Sequence, residues 1–101
     1  MRLNVYTIFD SAAGAYMRPF FAQSDGQALR GFTDISCDAE HDIGKHPEDY
    51  SLYRIGTFDD QKAKLDPEDR QCLATAQEVV ASSQKVDNQA QLDLVSPGGT
   101  A

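Results

Sequence analysis

Cysteine is scarce in this sequence, and long apolar segments are absent. The two cysteines, Cys37 and Cys72, form no Cys-x-x-Cys pair of the kind found in metal and redox sites. No apolar run approaches the roughly 20 residues that a membrane-spanning helix needs. The first residues lead into a strand-like alternation and not into the apolar segment of a secretion signal. We therefore expect a cytosolic protein with free thiols and no membrane partner.

The sequence also lacks the motifs of common catalytic sites. Neither a nucleophile elbow nor a glycine-rich phosphate loop occurs. Asp59 and Asp60 are adjacent in a turn and would point apart, which favours a structural role over acid-base chemistry. His41 and His46 lie among acids in a polar loop, without the spacing of a known metal site. We therefore predict that the protein is not an enzyme and uses no metal or cofactor.

Positive charge is the third shortage. The 101 residues include 16 Asp and Glu against 9 Lys and Arg, which gives a net charge of −7. Segment 37–60 holds seven of these acids and two bases, so most of the excess, 2 − 7 = −5, lies there. The acids of its loop are Asp38, Glu40, Asp42, Glu48 and Asp49. Such a loop suits a basic protein partner, whereas the rest of the chain is closer to neutral.

The residues that are present indicate one α+β domain over 1–82, in the order β-β-α-β-β-α. Alternating β-branched and aromatic residues predict strands at 2–9, 16–21, 51–58 and 62–65. Helical spacing of apolar residues predicts helices at 24–36 and 66–82. We expect an antiparallel sheet of two hairpins with the helices on one face, and a polar loop at 37–50. The polar segment 83–101 is predicted to be a flexible tail.

Local signals support the predicted ends of these elements. Ser24 and Gln27 have the spacing of a capping box at the start of the first helix. Asp66 would cap the second helix, with Pro67 at its first position, where no backbone N–H is needed. Pro19 cannot donate a ladder hydrogen bond, so the second strand should lie at an edge or carry a bulge.

Aromatic and basic residues occur together in both predicted hairpins. A sheet with one free face can stack the bases of single-stranded nucleic acid on its rings, while cations bind the phosphates. Strict alternation would place Tyr16, Arg18 and Phe20 on one face. The predicted nucleic-acid contacts are Tyr16, Arg18, Phe20, Arg54, Lys62 and Lys64. The alternative for each ring is a place in the core.

Three segments resemble a known viral family. VYTIFDSAAGAY at 5–16, RPFF at 18–21 and HPEDYSLYRIGTFD at 46–59 look like the small nonstructural protein of gokushoviruses, which are single-stranded DNA microviruses of bacteria. This resemblance implies a non-enzymatic role in replication or packaging of viral DNA in the host bacterial cytoplasm. It carries over no catalytic or ligand residues.

Three functions stay open at this point. The first is binding of single-stranded DNA, as a homodimer that combines two weakly charged surfaces. The second is an acidic adaptor or inhibitor whose 38–49 loop engages a basic viral or host replication or packaging protein. The third is a purely structural or assembly role.

Overall fold

A computed structural model of the protein describes residues 1–83, and it confirms the predicted α+β class. The strands are β1 (Arg2–Asp10), β2 (Ala15–Tyr16), β3 (Phe20–Ala22), β4 (Tyr50–Asp59) and β5 (Lys64–Thr75). The helices are α1 (Asp25–Ser36), α2 (Asp42–Lys45) and α3 (76–83), and a 3₁₀ turn spans Pro47–Asp49. The tail predicted over 83–101 lies outside the described residues from position 84 onward.

The sheet consists of the two predicted hairpins. Its order is β2-β1-β4-β5, and β3 also pairs with β1. β1 and β4 form the centre and run antiparallel from the Arg2–Asp59 pair to the Asp10–Tyr50 pair. The ladder shifts by one residue between Val5 and Tyr6. On either side of this shift the alternating apolar residues hold the register, because a further slip would turn the core side chains to the other face.

Helix α1 begins and ends where the sequence predicts. The Ser24 hydroxyl accepts a hydrogen bond from the backbone N–H of Gln27 at 3.1 Å. The Gln27 side chain in turn accepts from the backbone N–H of Gln23 at 2.8 Å. Such a cap contributes about 1 kcal/mol to the helix, because it satisfies N–H groups that have no partner inside the helix.

The predicted helix over 66–82 is wrong for its first ten residues, where β5 continues, and it is confirmed from residue 76 onward, where α3 runs. Thr57 pairs with Asp66 and Gly56 pairs with Pro67, so the ladder to β4 outweighs the local helix signal. Pro67 is tolerated there because β5 is an edge strand of this sheet. Helix α3 starts only after Thr75, whose hydroxyl accepts from the backbone N–H of Glu78 at 3.1 Å.

The predicted second strand is split, and its faces differ from the expected ones. Residues 17–19 leave the ladder between β2 and β3, as Pro19 suggested. The chain advances four residues from Tyr16 to Phe20, whereas their β1 partners Phe9 and Tyr6 are only three apart. This extra residue reverses the alternation, so Tyr16 and Phe20 lie on opposite faces of the sheet. The prediction of a shared face is therefore wrong.

The 37–50 segment is more ordered than a polar loop. It contains α2 and the 3₁₀ turn, and the Ile43 side chain is buried in the core. Gly44 permits this packing, because a Cβ at that position would lie 1.8 Å from the carbonyl oxygen of Asp38. One apolar anchor thus fixes a segment that is otherwise polar.

The core lies between the sheet and the helices on one face, as predicted. All three helices contribute to a single cluster with the sheet. Its buried members are Tyr6, Ile8, Ala28, Phe32, Ile43, Leu52, Ala74 and Ala76. Burial of each large apolar side chain contributes about 1.5–3 kcal/mol. Cys72, expected on a buried helix face, is instead exposed on β5.

Candidate nucleic-acid interface

One face of the sheet has no helix of residues 1–83 packed on it, and we call it the open face. Side chains alternate along a strand, so Thr7 and Phe9 of β1 point away from the core residues Tyr6 and Ile8. Ladder partners share a face, which places Tyr53 beside Thr7 and Tyr16 beside Phe9. Within residues 1–83, four of the five exposed large apolar side chains lie on this face or at its rim: Tyr16, Met17, Phe21 and Leu65.

Three aromatic rings and one arginine form a cluster on the open face, the tyrosine cluster. The ring centroids of Phe9 and Tyr16 are 4.7 Å apart, and those of Tyr16 and Tyr53 are 5.8 Å apart. The Arg70 guanidinium carbon lies 5.9 Å from both tyrosine centroids. Arg70 also donates a hydrogen bond to the Tyr16 hydroxyl. Tyr16 is 42% exposed, so its ring remains accessible to a ligand.

A bulge in β5 directs Arg70 to this face. Arg54 pairs with Gln71 and Gly56 pairs with Pro67, so residues 68–70 lie opposite Ile55 alone. Extra residues in one strand bend it and change the direction of its side chains. Arg70 therefore reaches the tyrosine cluster although its neighbour Gln71 bonds to a side chain on the other face.

Arg54 lies on the helix-covered face, away from the tyrosine cluster. Its guanidinium lies 2.8 Å from the carboxylate of Asp25 and 3.4 Å from that of Glu68. A third contact, at 3.0 Å, goes to the side-chain oxygen of Gln71. Arg54 thus ties both ends of the bulge to α1, and its charge is matched by two acids.

Tyr6 completes this polar network. Its hydroxyl donates to Asp25 at 2.7 Å and accepts from Asn4 at 3.0 Å. Burial, followed by the hydrogen bond to Asp25, raises the pKa of Tyr6 to about 12. The phenol therefore stays neutral and keeps donating throughout the physiological pH range.

The structure brings together only part of the predicted DNA-binding set. Phe20 stacks on Tyr6 on the helix-covered face, with centroids 5.6 Å apart. Arg18 is exposed in the link between β2 and β3 and forms no ion pair within residues 1–83. Lys62 and Lys64 are exposed near the tip of the second hairpin, where Lys64 lies 3.9 Å from Asp66. Of the six predicted nucleic-acid contacts, Tyr16 alone belongs to the tyrosine cluster.

Three members of the tyrosine cluster were missing from the predicted set. Phe9 and Tyr53 carried a usable signal, because both alternate with core positions of long strands. Arg70 carried no usable signal in the sequence, since the helix predicted over 66–82 placed it on a different element. The geometry of the β5 bulge was needed to find it.

The acidic residues of the 38–49 segment form a second charged surface. Asp38, Glu40, Asp42 and Glu48 are exposed, and Asp49 is half-buried. Burial, followed by the charges of Asp10, Asp42 and Asp49, raises the pKa of the nearby Tyr50. Of the acids in this segment, Asp42 and Asp49 therefore lie close enough to Tyr50 for their charges to act on it.

His46, Glu48 and Asp49 could each offer one ligand atom to a metal ion. Those atoms lie within 4.8 Å of one another. His46 and Glu48 are exposed, and they lie 3.8 Å apart as a surface pair. This geometry fits an ordinary surface contact, because exposed acidic groups commonly approach a histidine in this way.

A family model described as Phage ORF5 protein matches residues 3–79. The chain belongs to the Phage ORF5 protein family. The match runs from β1 into α3, so every residue of the tyrosine cluster and of the 38–49 segment lies inside it. No curated protein and no solved structure matches the chain significantly. Family membership makes this a phage protein. No helix within residues 1–83 of this family member is long and apolar enough to cross a membrane.

Proposed function

We propose that this phage protein binds single-stranded DNA through its open face, without catalysing a reaction, during replication or packaging of a microvirus genome. The observation that carries the proposal is the tyrosine cluster, in which the exposed Tyr16 ring, two half-buried rings and a cation lie on the sheet face that no helix of residues 1–83 covers. The site of action would be the cytoplasm of the host bacterium.

Stacking supplies the main binding energy in this proposal. Aromatic rings on a sheet bind unpaired bases with about 1–3 kcal/mol per base, because every base has a flat apolar surface. Tyr16 is accessible for such a contact, and Phe9 and Tyr53 hold its ring in place from the two neighbouring strands. Bases of a duplex are already stacked and cannot lie on the cluster, which favours a single strand.

Charge limits the affinity. Arg70 lies at the cluster and Arg18 is exposed in the adjoining link, so we assign about two phosphate contacts to one copy of the chain. For single strands the logarithm of the binding constant falls by about 0.7 per contact for each tenfold rise in salt concentration. The expected slope is therefore about −1.4, far shallower than that of a strongly basic DNA-binding protein.

The test is a fluorescence-anisotropy titration of a labelled oligothymidine at several salt concentrations. Tyr16→Ala should weaken binding by about 1–3 kcal/mol. Arg70→Gln should weaken it and reduce the salt slope by about 0.7. Arg30→Gln is the matched control, because Arg30 is exposed on α1 and should leave both quantities unchanged. No binding by the wild-type protein at low salt would exclude the proposed function. Equal affinities of Tyr16→Ala and the wild type for the oligothymidine would show that DNA binds to another surface.

The second candidate is an adaptor or inhibitor that binds a basic replication or packaging protein through the 38–49 segment. Its supporting observation is that the side chain of Ile43 is buried in the core and so fixes this acidic segment against the domain. Replacing Asp38, Glu40 and Asp42 by their amides should abolish capture of that partner from phage-infected cells. The same changes should leave binding of oligothymidine intact or strengthen it, because they remove negative charge.

A further inference from the structure

Three interruptions of the sheet ladder meet at one level of the open face. The link at residues 17–19 leaves the ladder beside Thr7. Ile55 of β4 has no partner in β1, because the ladder shifts by one residue there. Residues 68–70 of β5 lie opposite Ile55 on its other side. Bulges bend strands and redirect side chains, and they are common beside functional sites, so this level of the sheet is a place to look for a ligand.

A cavity of about 290 Å³ lies where these interruptions meet. Pockets for small molecules have volumes from about 300 to 1,000 Å³, so this cavity has room for a single flat ring and not for a stack of rings. Two of its lining residues also belong to the tyrosine cluster, so the cavity opens directly beside the surface proposed for DNA. The lining residues are Thr7, Tyr16, Met17, Pro19, Ile55 and Arg70.

The polar side chains of the cavity offer several donors and one acceptor. Arg70 carries only donors, and it forms no ion pair within residues 1–83 of this acidic chain. Arg70 donates to the Tyr16 hydroxyl, which leaves the phenolic proton free to be donated. The Thr7 hydroxyl donates to the carbonyl oxygen of Met17 at 2.6 Å, which leaves its own oxygen as the acceptor. A matching ligand therefore has more acceptors than donors.

Thymine matches this set of groups better than the other bases of DNA. Its pairing edge has a carbonyl oxygen on each side of a single N–H, and its methyl group suits the apolar walls formed by Met17, Pro19 and Ile55. Adenine, cytosine and guanine each carry an amino group, and a buried N–H without an acceptor costs free energy. The pairing edge of thymine is free only in a single strand, which agrees with the form of DNA proposed above.

We propose that this cavity holds one thymine base of single-stranded DNA and gives the protein a preference for thymine-rich strands. The inference rests on the proposed function, because the strand must lie on the open face for a base to enter. The carbonyl oxygens of the base accept from Arg70, and its methyl group packs between Met17 and Ile55. Phosphate contacts do not distinguish one base from another, so the preference belongs to the cavity.

Fluorescence-anisotropy titrations with two labelled oligonucleotides of equal length, oligothymidine and oligodeoxycytidine, test this preference at neutral pH. Both are pyrimidine strands with the same number of phosphates, so the salt-dependent part of binding is common to them. The wild-type protein should bind oligothymidine at least about fivefold more tightly, which is the lower end of the discrimination that hydrogen bonds to a base edge provide.

Met17→Gln is the variant that tests the cavity. Met17 is 44% exposed and glutamine has a similar length, so the variant should keep the circular dichroism spectrum of the wild type. The amide oxygen adds an acceptor for the amino group of cytosine, so the preference for thymine should fall to about twofold or less. Leu65→Gln is the matched control, because Leu65 is 60% exposed on the same sheet face and lies outside the cavity. It should keep the preference of the wild type.

The outcomes separate this inference from the proposed function. Equal affinities of the wild type for the two oligonucleotides, with Tyr16→Ala weakening both, would overturn the thymine preference but not DNA binding. A preference that is unchanged in a folded Met17→Gln variant would also overturn the inference, because the cavity would not be its source. Absence of binding to either oligonucleotide at low salt would overturn the proposed function and the thymine preference together.

Discussion

Arg54 Nη1 donates to Asp25 Oδ2 over 2.8 Å, and this contact links the central strand β4 to the first turn of α1. The same guanidinium reaches Glu68 and Gln71 at the two ends of the β5 bulge. The bulge directs Arg70 to the opposite face of the sheet. A contact on the helix-covered face therefore supports the position of a cation on the open face.

Removal of Arg54 should lower both stability and DNA affinity. Arg54→Ala leaves Asp25 and Glu68 without their shared cation, and the arginine is 28% exposed. For a partly buried ion pair we expect a loss of about 1–3 kcal/mol in the free energy of unfolding, measured by urea denaturation. Arg30→Ala on the exposed side of α1 should change it by less than about 0.5 kcal/mol. Equal denaturation midpoints for the two variants would contradict a stabilising role for the network.

Two glycine substitutions should have opposite effects. A Cβ at Gly56 would lie 2.4 Å from the carbonyl oxygen of Asp66, which cannot move without breaking the β4–β5 ladder. Gly56→Ala should therefore destabilise the protein by about 1–3 kcal/mol or more.

Gly31 lies inside α1 with no atom within 4 Å of such a Cβ. Gly31→Ala should stabilise it by about 0.5–1 kcal/mol, because alanine loses less backbone entropy in a helix. The melting temperatures of both variants test these predictions. A Gly56→Ala variant as stable as the wild type would contradict the first and show that the β5 bulge can relax.

Alkaline pH should unfold the protein partly through Tyr6, whose pKa is raised by burial from 10.0 to about 12. Between these values the unfolded chain releases the phenolic proton while the folded chain keeps it. The free energy of unfolding therefore falls as pH rises, by up to about 1.4 kcal/mol per pH unit. The stabilisation is complete below pH 10 and is lost as pH passes through about 12.

Urea denaturation between pH 8 and 11 measures this loss. Tyr6→Phe should show a shallower decline, because it lacks the group that titrates. A decline remains through Tyr50, whose pKa burial also raises. Identical pH profiles for Tyr6→Phe and the wild type would assign the alkaline transition to other groups.

Much of the fold could be predicted because its signals are local. The alternation in β1 and β4 and the cap at Ser24 each depend on residues a few positions apart. The helix predicted from Asp66 and Pro67 failed, because pairing with β4 satisfies the backbone of β5 over a longer stretch than a helix cap can. The spacing of Thr75 and Glu78, which begins α3, is also a local signal, and it stands where the ladder ends.

The candidate site could be predicted only in part. Tyr16 was identified because aromatic and basic residues occur together in the first predicted hairpin. Phe20 and Arg54 were assigned to the same surface, but the extra residue between β2 and β3 and the ion pair with Asp25 place both on the helix-covered face. The functions themselves, DNA binding and the acidic adaptor, stay predictions until they are measured.

The sequence by itself determined an acidic α+β chain with two hairpins, a capped first helix and the motifs that identify its phage family. Only the tertiary structure decided which face each aromatic ring occupies and where Arg70 lies. The physical reason is that one extra residue in a strand reverses every side chain after it, and bulges arise from pairing between distant segments. The acidity that dominates the composition therefore coexists with an open face on which Arg70 is the charged member of the aromatic cluster.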